Sequence, residues 1–403
     1  MRDLHILIAG GGIGGISAAL CLAKAGQRVS VFEQAGDFSE VGAGIQLSPN
    51  CNRVLHYLGL EDELRRCAFL PEATQFRDWQ SGHVVHESPL GEAIAERYGM
   101  PYYHIHRGDL LGILVEAARR EPCIELHPGR AVTGFRQGGD GISLLLDGAE
   151  RVGDLLVGAD GIHSVIRAGL WGEEAPRFTG TVAWRALVPA NRLPEGLVRP
   201  MASVWWGPGK HFVHYYVRGG ELVNCVCVVE KEGWEVESWT ERGEQDELKT
   251  DFAGWHDSVQ TLIDQMPPNA LFKWALYDRD PMPRWGQGRV TLLGDACHPT
   301  LPFMAQGAAM AIEDAAVLAG CLMRGEAIPA SLKRYEDLRR ARAASIQLGS
   351  RRNAEVFHMR GIQAWARNRA VGTARRGVME RLYSYDPLQV AGMSGAVGER
   401  SAS

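Results

Sequence analysis

A glycine-rich turn directly after the first apolar run constrains this chain more than any other feature. Residues 6–15 read ILIAGGGIGG, which places Gly10, Gly12 and Gly15 at the spacing G-x-G-x-x-G. In such a turn the first glycine permits a tight bend, the second lets the backbone approach a pyrophosphate, and the third allows close packing of the next helix. The pattern therefore predicts a strand, a turn and a helix over 16–25 whose N-terminus binds a dinucleotide phosphate.

An acidic side chain ends the second predicted strand. Glu33 follows the apolar run 29–32, about 20 residues after the turn, where a carboxylate accepts hydrogen bonds from a ribose hydroxyl. The same carboxylate would repel a 2′-phosphate. The ligand is therefore predicted to be FAD or NAD and not NADP, and a purely structural glycine turn is the less favoured interpretation.

Length and charge limit the partners. The chain has 403 residues, enough for two joined domains, and its 43 basic and 48 acidic residues give a net charge of −5, which argues against nucleic acid. No apolar run reaches the roughly 20 residues that a membrane span needs. The eight cysteines form no C-x-x-C pair, which argues against disulfides and against a metal site and favours a cytoplasmic location.

Periodicity along the chain predicts an interrupted α/β domain. Strand and helix signals alternate in three segments, which we assign to one discontinuous nucleotide-binding domain: 1–70, 102–179 and 288–330. Segments rich in Trp, Tyr and Val, typical of antiparallel sheet, define a second domain: 71–101 and 180–287. Residues 331–403 are predicted to form a C-terminal helical region. Its basic tract is expected to be a solvated helix face packed on the first domain. A membrane or partner surface, which includes a homodimer contact, is the alternative.

Two more turns follow predicted strands. Asp160 and Gly161 come directly after an apolar strand, and the strand 289–293 leads into Gly294 and Asp295. In an open α/β sheet, ligands bind beyond the carboxyl ends of the strands. We therefore expect both carboxylates beside the glycine turn.

The ordered set of motifs resembles the single-component FAD-dependent aromatic hydroxylases, over residues 4–345. The resemblance rests on the glycine turn, Glu33 and the two aspartate turns, GADG and LGDA. Three further stretches are similar to the salicylate, 3-hydroxybenzoate and 6-hydroxynicotinate hydroxylases: 42–46 (GAGIQ), 106–110 (HRGDL) and 304–314 (MAQGAAMAIED). The resemblance implies an α/β (α+β) fold like that of p-hydroxybenzoate hydroxylase. In that fold an antiparallel-sheet substrate domain is inserted into a Rossmann-like FAD-binding domain, and a helical tract follows.

The resemblance also implies the cofactors and the reaction. FAD is expected to bind tightly and non-covalently, with NADH or NADPH and O2 as transient co-substrates. In this family the nicotinamide reduces FAD, O2 then gives a flavin C4a-hydroperoxide, and its terminal oxygen attacks an electron-rich ring. The expected partner is thus a small aromatic substrate.

Residue by residue, the resemblance implies a cofactor-binding set. Asp295 should bind the ribityl hydroxyls, Arg107 the pyrophosphate, and Asp160 should link the flavin and nicotinamide sides of the site. A helix N-cap is the alternative role for Asp160. The whole predicted set is Gly10, Gly12, Gly15, Glu33, Gln46, Arg107, Asp160, Asp295, Gln306, Gly307 and Ala308.

Candidate catalytic side chains lie on one predicted strand of the sheet domain. His211 and Tyr215 share a strand face and match the base and its partner in the related hydroxylases. An imidazole, whose ordinary pKa is about 6.5, can take a phenol proton at neutral pH. Without the resemblance, both would be interpreted as ordinary sheet residues. The predicted substrate pocket comprises Gln46, Arg185, Pro302, Phe303 and Met304.

The predicted pocket also differs from those of the related hydroxylases. Pro302 stands where the 3-hydroxybenzoate type has a catalytic Gln, and Gln46 and Phe303 stand where the 6-hydroxynicotinate type has His. Hydroxylation of a salicylate-like or 3-hydroxybenzoate-like phenolic acid is the favoured function. A related enzyme for a larger phenol, quinolone or polyketide, and a non-catalytic nucleotide sensor, stay open. His298, near Asp295, is predicted to be structural.

Overall fold

The computed structural model describes residues 3–38, 43–231, 233 and 241–393. Gly42 of the GAGIQ stretch and the end of the predicted C-terminal region, 394–403, lie outside the described residues. The strands are β1 (His5–Ala9), β2 (Arg28–Phe32), β3 (Gly44–Leu47), β4 (Ala73–Asp78), β5 (Val84–Pro89), β6 (Tyr103–His106), β7 (Ile124–His127), β8 (Val132–Gln137), β9 (Ile142–Leu146), β10 (Ala149–Gly153), β11 (Leu155–Gly158), β12 (Arg177–Pro189), β13 (Ala202–Gly207), β14 (Lys210–Val217), β15 (Leu222–Glu230), β16 (Phe272–Asp278), β17 (Gly286–Gln287) and β18 (Val290–Leu292). The helices are α1 (Ile13–Lys24), α2 (Pro49–Tyr57), α3 (Glu61–Cys67), α4 (Gly91–Tyr98), α5 (Arg107–Arg120), α6 (Val165–Trp171), α7 (Gln245–Asp251), α8 (Asp257–Asp264), α9 (Gly307–Met323), α10 (Ile328–Phe357), α11 (Gly361–Tyr383) and α12 (Pro387–Ala391).

The first sheet is mainly parallel and holds the three sequence motifs. Its strand order is β17-β18-β11-β1-β2-β7, and β18, β11, β1, β2 and β7 pair in parallel. Four of these strands, β18, β11, β1 and β2, are largely apolar and buried, as expected for a sheet covered on both faces, whereas the edge strand β7 is mostly only partly buried. Since parallel strands end at one edge, the glycine turn, Glu33 and both aspartate turns come together there. The predicted α/β fold is confirmed.

The second sheet is almost entirely antiparallel. Its order is β16-β12-β15-β14-β13-β4-β5, and the pair β13–β4 is parallel. One face packs on α7 and α8 through an apolar core that includes Trp184, Phe212 and Phe252. The other face looks toward the first sheet. This is the antiparallel sheet that the alternation of Trp, Tyr and Val predicts.

Smaller pairings position two further site residues. β3 and β6 pair antiparallel with Gly44 opposite His106, so the strand that carries Gln46 runs beside the start of α5, where Arg107 lies. The strands β8, β9 and β10 form a separate three-stranded sheet. The described part of the C-terminal region contains α10, α11 and α12. The first two are separate helices because the chain leaves helical geometry after Phe357 and restarts at Gly361, whose φ is +54°. This break places His358 against the second sheet.

Several predictions about the context of the chain stay predictions. None of the described helices combines the length and apolar composition that a membrane crossing needs. All eight cysteines are free thiols. The domain boundaries, the cytoplasmic location, the lack of a nucleic-acid partner and the candidate homodimer contact are not decided by this fold.

Candidate active site

A cavity of about 770 Å³ joins the two sheets. Its walls include the glycine turn and Asp295 from the first sheet and His211 from the second. Residues of α9 and α11 close the remaining sides. The cavity therefore brings the predicted cofactor and substrate residues into one space, at the edge where α/β sheets bind ligands.

The glycine turn has the geometry of a phosphate cradle. Gly10 has φ +103°, and a Cβ atom there would lie 2.3 Å from the Ala159 carbonyl oxygen. A Cβ atom on Gly15 would lie 2.0 Å from the Gly10 carbonyl oxygen. Gly12 is the N-cap of α1 and lines the cavity. Both steric limits require glycine, and they leave the helix N-terminus open to an anion, which fits a dinucleotide.

Glu33 is fixed beside this turn by two backbone amides. The Gly11 N–H donates to Oε2 at 2.8 Å, and the Ala35 N–H donates to Oε1 at 2.9 Å. Each carboxylate oxygen keeps acceptor capacity, and the side chain lines the cavity. The arrangement suits the two hydroxyls of a ribose.

Asp160 makes the contacts of a helix cap. Its carboxylate accepts from the Ser164 hydroxyl at 2.5 Å and from the Ile166 N–H at 3.1 Å, at the start of α6. Arg167, in turn, donates to the Ile162 and Ala296 carbonyls at 2.7 and 3.1 Å. This guanidinium ties the two aspartate turns together. Asp160 lines the cavity, but its link between flavin and nicotinamide stays a prediction.

Asp295 is solvent-accessible in the cavity wall, and the protein atoms around that wall partly desolvate its carboxylate. Burial raises the pKa of its carboxyl, and the charges of His298 and Arg107 oppose that rise. A carboxylate in this position can accept hydrogen bonds from the hydroxyls of a sugar chain. Arg107, at the start of α5, lines the same cavity.

The N-terminus of α9 also reaches the cavity. Gln306, Gly307 and Ala308 all line it. The Gln306 side chain is turned away, since its Nε2 donates to Ser48 Oγ at 2.9 Å and its Oε1 accepts from Asn50 Nδ2 at 3.0 Å. The backbone amides of this first turn are thus the groups available to an electron-rich flavin edge.

Strand β14 presents the two predicted catalytic residues. His211, Val213 and Tyr215 line the cavity, as the strand alternation predicts. Two phenylalanine rings pack edge-on against the His211 ring. They belong to Phe303, in the 3₁₀ turn Pro302–Met304, and to Phe357, at the end of α10, and their ring centres lie 5.2 and 5.3 Å from that of His211. Pro302, Phe303 and Met304 all lie in the cavity wall.

His211 is hydrogen-bonded through the ring nitrogen that points away from the cavity. Its Nδ1 lies 2.8 Å from His358 Nε2, and His358 Nδ1 lies 3.0 Å from Glu230 Oε1. Burial lowers the pKa of His211 well below its usual value, and the nearby His358 lowers it further. His211 is therefore neutral at pH 7, the form that accepts a proton.

Several polar side chains lie with Tyr215 in the cavity wall. Burial raises the pKa of the Tyr215 hydroxyl, and Arg185 opposes the rise. Burial lowers the pKa of Arg185 to about 9, and its guanidinium lies 4.1 Å from the centre of the Trp274 ring. Gln46 accepts a hydrogen bond from the Tyr102 hydroxyl at 2.6 Å. The cavity lining includes all five of these side chains: Tyr215, Arg185, Trp274, Gln46 and Tyr102.

Sequence reasoning missed several cavity residues. Arg375 of α11 lies in the wall with its guanidinium 4.6 Å from the Phe76 ring centre. Tyr102 and Tyr383 line the cavity, and His358 contacts His211. None of these side chains belongs to a motif. The one local signal was Gly361, a helix breaker that could have marked the turn carrying His358.

The comparisons with known proteins agree with this geometry. A family described as FAD binding domain matches residues 3–348. Among curated proteins, a 3-amino-4-hydroxybenzoate 2-monooxygenase of Streptomyces platensis is 40% identical over 92% of this chain and 93% of its own. The 6-hydroxynicotinate 3-monooxygenase of Bordetella bronchiseptica is 39% identical over 87% and 91%. The 3-hydroxybenzoate 6-hydroxylase of Polaromonas naphthalenivorans is 39% identical over 91% of each chain.

A solved structure gives the same picture. A salicylate hydroxylase substrate complex is 27% identical, covers 97% of both chains and superposes with a TM-score of 0.81. The resemblance inferred from the motifs is therefore confirmed, and FAD is the cofactor that the cradle fits. This chain belongs to the family that carries this FAD-binding domain, and it is an FAD-dependent aromatic monooxygenase.

Proposed function

We propose that this enzyme hydroxylates a single-ring phenolic acid, similar to salicylate or 3-hydroxybenzoate, with NADH or NADPH and O2. The observation that carries the proposal is the position of His211, a neutral buried base that faces the cavity shared with the FAD cradle. When bound, FAD supplies the redox chemistry, since it can be reduced by the nicotinamide and can then activate O2. The side chains of this chain then have to bind the ring, raise its electron density and exclude water.

His211 takes the phenol proton in this proposal. Removing that proton makes the ring more nucleophilic, and a neutral imidazole close to it is suited to the task. Tyr215, two positions along the same strand face, keeps its own proton because burial raises the pKa of its hydroxyl. It can therefore donate a hydrogen bond to the resulting phenolate oxygen.

The carboxylate of the substrate would bind to an arginine of the cavity wall. Arg185 and Arg375 both line the cavity, and cations in its wall favour an anionic ligand over a neutral one. Phe303 and Met304 give an apolar surface for the ring. The aromatic walls also keep water from the reacting centre.

The volume of the cavity favours one ring over a larger scaffold. About 770 Å³ has to hold FAD as well as the substrate, because the glycine turn and Glu33 line the same cavity. That volume is within the range of pockets for one drug-sized ligand, roughly 300–1,000 Å³. Three of the curated relatives are named for single-ring acids, namely 3-amino-4-hydroxybenzoate, 6-hydroxynicotinate and 3-hydroxybenzoate. A larger phenol, quinolone or polyketide is the alternative.

The test is anaerobic reduction of the enzyme-bound flavin by NADH, followed at about 450 nm, the absorption maximum of a flavin cofactor. It is run with salicylate, 3-hydroxybenzoate, 6-hydroxynicotinate and 3-amino-4-hydroxybenzoate, and with benzoate as the control that lacks the hydroxyl. We expect one phenolic acid to accelerate reduction and to yield a hydroxylated product in air. Release of CO2 would identify a salicylate-type reaction. If none of the four phenolic acids accelerated reduction in enzyme that holds reducible FAD, the single-ring proposal would be refuted.

A further inference from the structure

Three side chains form a continuous path from the cavity to the protein surface. His211 lies in the cavity wall, its Nδ1 is 2.8 Å from His358 Nε2, and His358 Nδ1 is 3.0 Å from Glu230 Oε1. The two histidines are 3% and 5% exposed, whereas the Glu230 side chain is 47% exposed. The path thus begins in a buried base and ends at solvent.

The carboxylate at the outer end determines where the protons lie. An ionised carboxylate only accepts, so His358 must donate from Nδ1 and carry a lone pair on Nε2. His211 must then donate from Nδ1 to that lone pair. Its own Nε2 is left without a proton, as a base requires. Glu230 therefore sets the tautomer of His211 through His358.

The surroundings keep this path isolated from water on its flanks. The rings of Phe303 and Phe357 pack against His211, and Phe303 also lies edge-on to His358 at 6.3 Å. Burial lowers the pKa of His358, and Glu230 opposes this effect. The cations Arg360 and Arg367 also face His358 and disfavour its protonation. Both histidines are neutral in this setting and can pass a proton without holding one.

We propose that His211, His358 and Glu230 are a proton relay that carries the phenol proton of the substrate to solvent. The O–H bond of the phenol breaks and an N–H bond forms at His211 Nε2. The proton on His211 Nδ1 passes to His358 Nε2, and the proton on His358 Nδ1 passes to Glu230 and then to water. The reverse transfers return a proton to the product and restore both tautomers. His358 and Glu230 are positioning residues, and the proposal rests on the proposed function.

The experiment measures proton release on ligand binding. FAD-loaded, oxidised enzyme is mixed with 3-hydroxybenzoate or 3-amino-4-hydroxybenzoate in weak buffer containing a pH indicator, with benzoate as the phenol-free control. The variants are His358→Gln, His358→Ala, Glu230→Gln and, as matched control, Glu221→Gln, whose exposed side chain lies beside the other end of β15.

We expect wild type and the Glu221 variant to release a proton rapidly with a phenolic acid and not with benzoate. His358→Gln should bind the ligand with similar affinity but release the proton about tenfold more slowly or worse, as for a lost proton-transfer group. Glu230→Gln should show a smaller slowing of the same kind. Imidazole added to the His358→Ala variant should restore the rate, which a purely structural role would not produce. Release from His358→Gln at the wild-type rate would overturn the relay.

A second readout separates failure of the relay from failure of the proposed function. In nitrogen-15 histidine spectra of the ligand-free holoenzyme, the relay requires His211 and His358 both to carry the proton on Nδ1. A Glu230→Leu variant, whose side chain cannot accept from His358 Nδ1, should lose this assignment, and Glu221→Leu should keep it. If no phenolic acid binds, the proposed function fails, and these spectra still decide the relay: protons on Nε2 would overturn it.

Discussion

Two groups in this molecule each combine buried histidine with a carboxylate, but they differ in their access to the cavity and to solvent. His211 is linked through His358 to a half-exposed Glu230, and its other side faces the cavity. His298 lies 2.5 Å from Asp314, and this pair is 1% and 0% exposed. His298 does not line the cavity.

The second group is closed by further charges. Arg339, itself fully buried, pairs with Asp314 at 2.6 Å and with Glu313 at 2.7 Å. Arg342 also pairs with Glu313 at 2.7 Å. Cys297, His298 and Asp314 have potential ligand atoms within 4.8 Å of one another, but the arginine and histidine contacts already satisfy the carboxylate. Access to a cavity and to solvent, and not the residue types, therefore separates the histidine proposed to act on a substrate from the one that ties the turn after β18 to α9.

The largest expected effect is that substitution of His211 lowers turnover, whereas substitution of His298 lowers stability. His211→Ala should lower kcat about 10²- to 10⁴-fold, because it removes a general base. His298→Ala should leave turnover within severalfold but lower the free energy of unfolding by about 1–3 kcal/mol, because a buried charged hydrogen bond is lost. Turnover is measured on the acid that accelerates flavin reduction, and stability by urea unfolding of the holoenzyme.

The content of bound FAD serves as the control for this pair of variants. Both should retain FAD, since neither histidine is needed to shape the glycine turn. If His298→Ala lost turnover as severely as His211→Ala while it kept FAD and stability, the distinction between the open and the closed group would be wrong.

The next effect concerns the charges behind His298. Arg339→Met should destabilise the protein by about 3–5 kcal/mol, because it leaves Glu313 and Asp314 buried without their main cation. Arg360→Met is the matched control, since its 68% exposed side chain pairs with Glu230 at the surface and should change stability by about 1 kcal/mol at most. Urea unfolding midpoints of the two variants measure the difference. Equal midpoints would show that the buried group contributes no more than a surface pair.

The same contrast explains what the sequence could predict. The glycine turn, Glu33 and both aspartate turns depend on local spacing, and the structure places them at one sheet edge. The face of β14 that carries His211 follows from strict alternation along a strand. These predictions needed only near neighbours in the chain.

The groups around the two histidines needed tertiary contacts. His211 and His358 are 147 positions apart, and no motif connects them. Gln306 turns toward Ser48 and Asn50, which lie 258 and 256 positions away in the chain. A motif locates a side chain, whereas its hydrogen-bond partners are set by segments that pack from elsewhere in the chain.

A third buried histidine, His214, neither lines the cavity nor bonds to a carboxylate, so it serves as a reference for the other two. His214 lies on the opposite face of β14, both its ring nitrogens are buried without hydrogen-bond partners, and burial lowers its pKa from 6.5 to about 3. Unfolding lets this histidine bind a proton, so its contribution to stability is intact above pH 6.5 and is lost as the pH falls from 6.5 toward 3. At one pH unit below 6.5 the total loss relative to high pH is about 1.4 kcal/mol.

The measurement compares urea unfolding at pH 8 and at one unit below the ordinary histidine pKa. Between these two conditions His214→Leu should lose about 1.4 kcal/mol less stability than wild type. His83→Leu, at an exposed position, should follow the wild-type dependence. If His214→Leu lost as much stability as wild type, the buried neutral state of His214 would be disproved.

The smallest expected effect concerns Ala305, which lies in the chain segment between the two histidine groups. Ala305 follows the turn that packs Phe303 on His211 and precedes α9, which carries Asp314, and it has φ +52°. An alanine in this left-handed region costs about 1–2 kcal/mol, whereas the greater freedom of glycine in the unfolded chain costs about 0.5–1 kcal/mol. Ala305→Gly should therefore stabilise the protein by less than about 1 kcal/mol, seen as a slightly higher unfolding midpoint. Ala305→Val, which adds a branched side chain at the same φ, should lower that midpoint; if both variants matched wild type, this segment would hold no backbone strain.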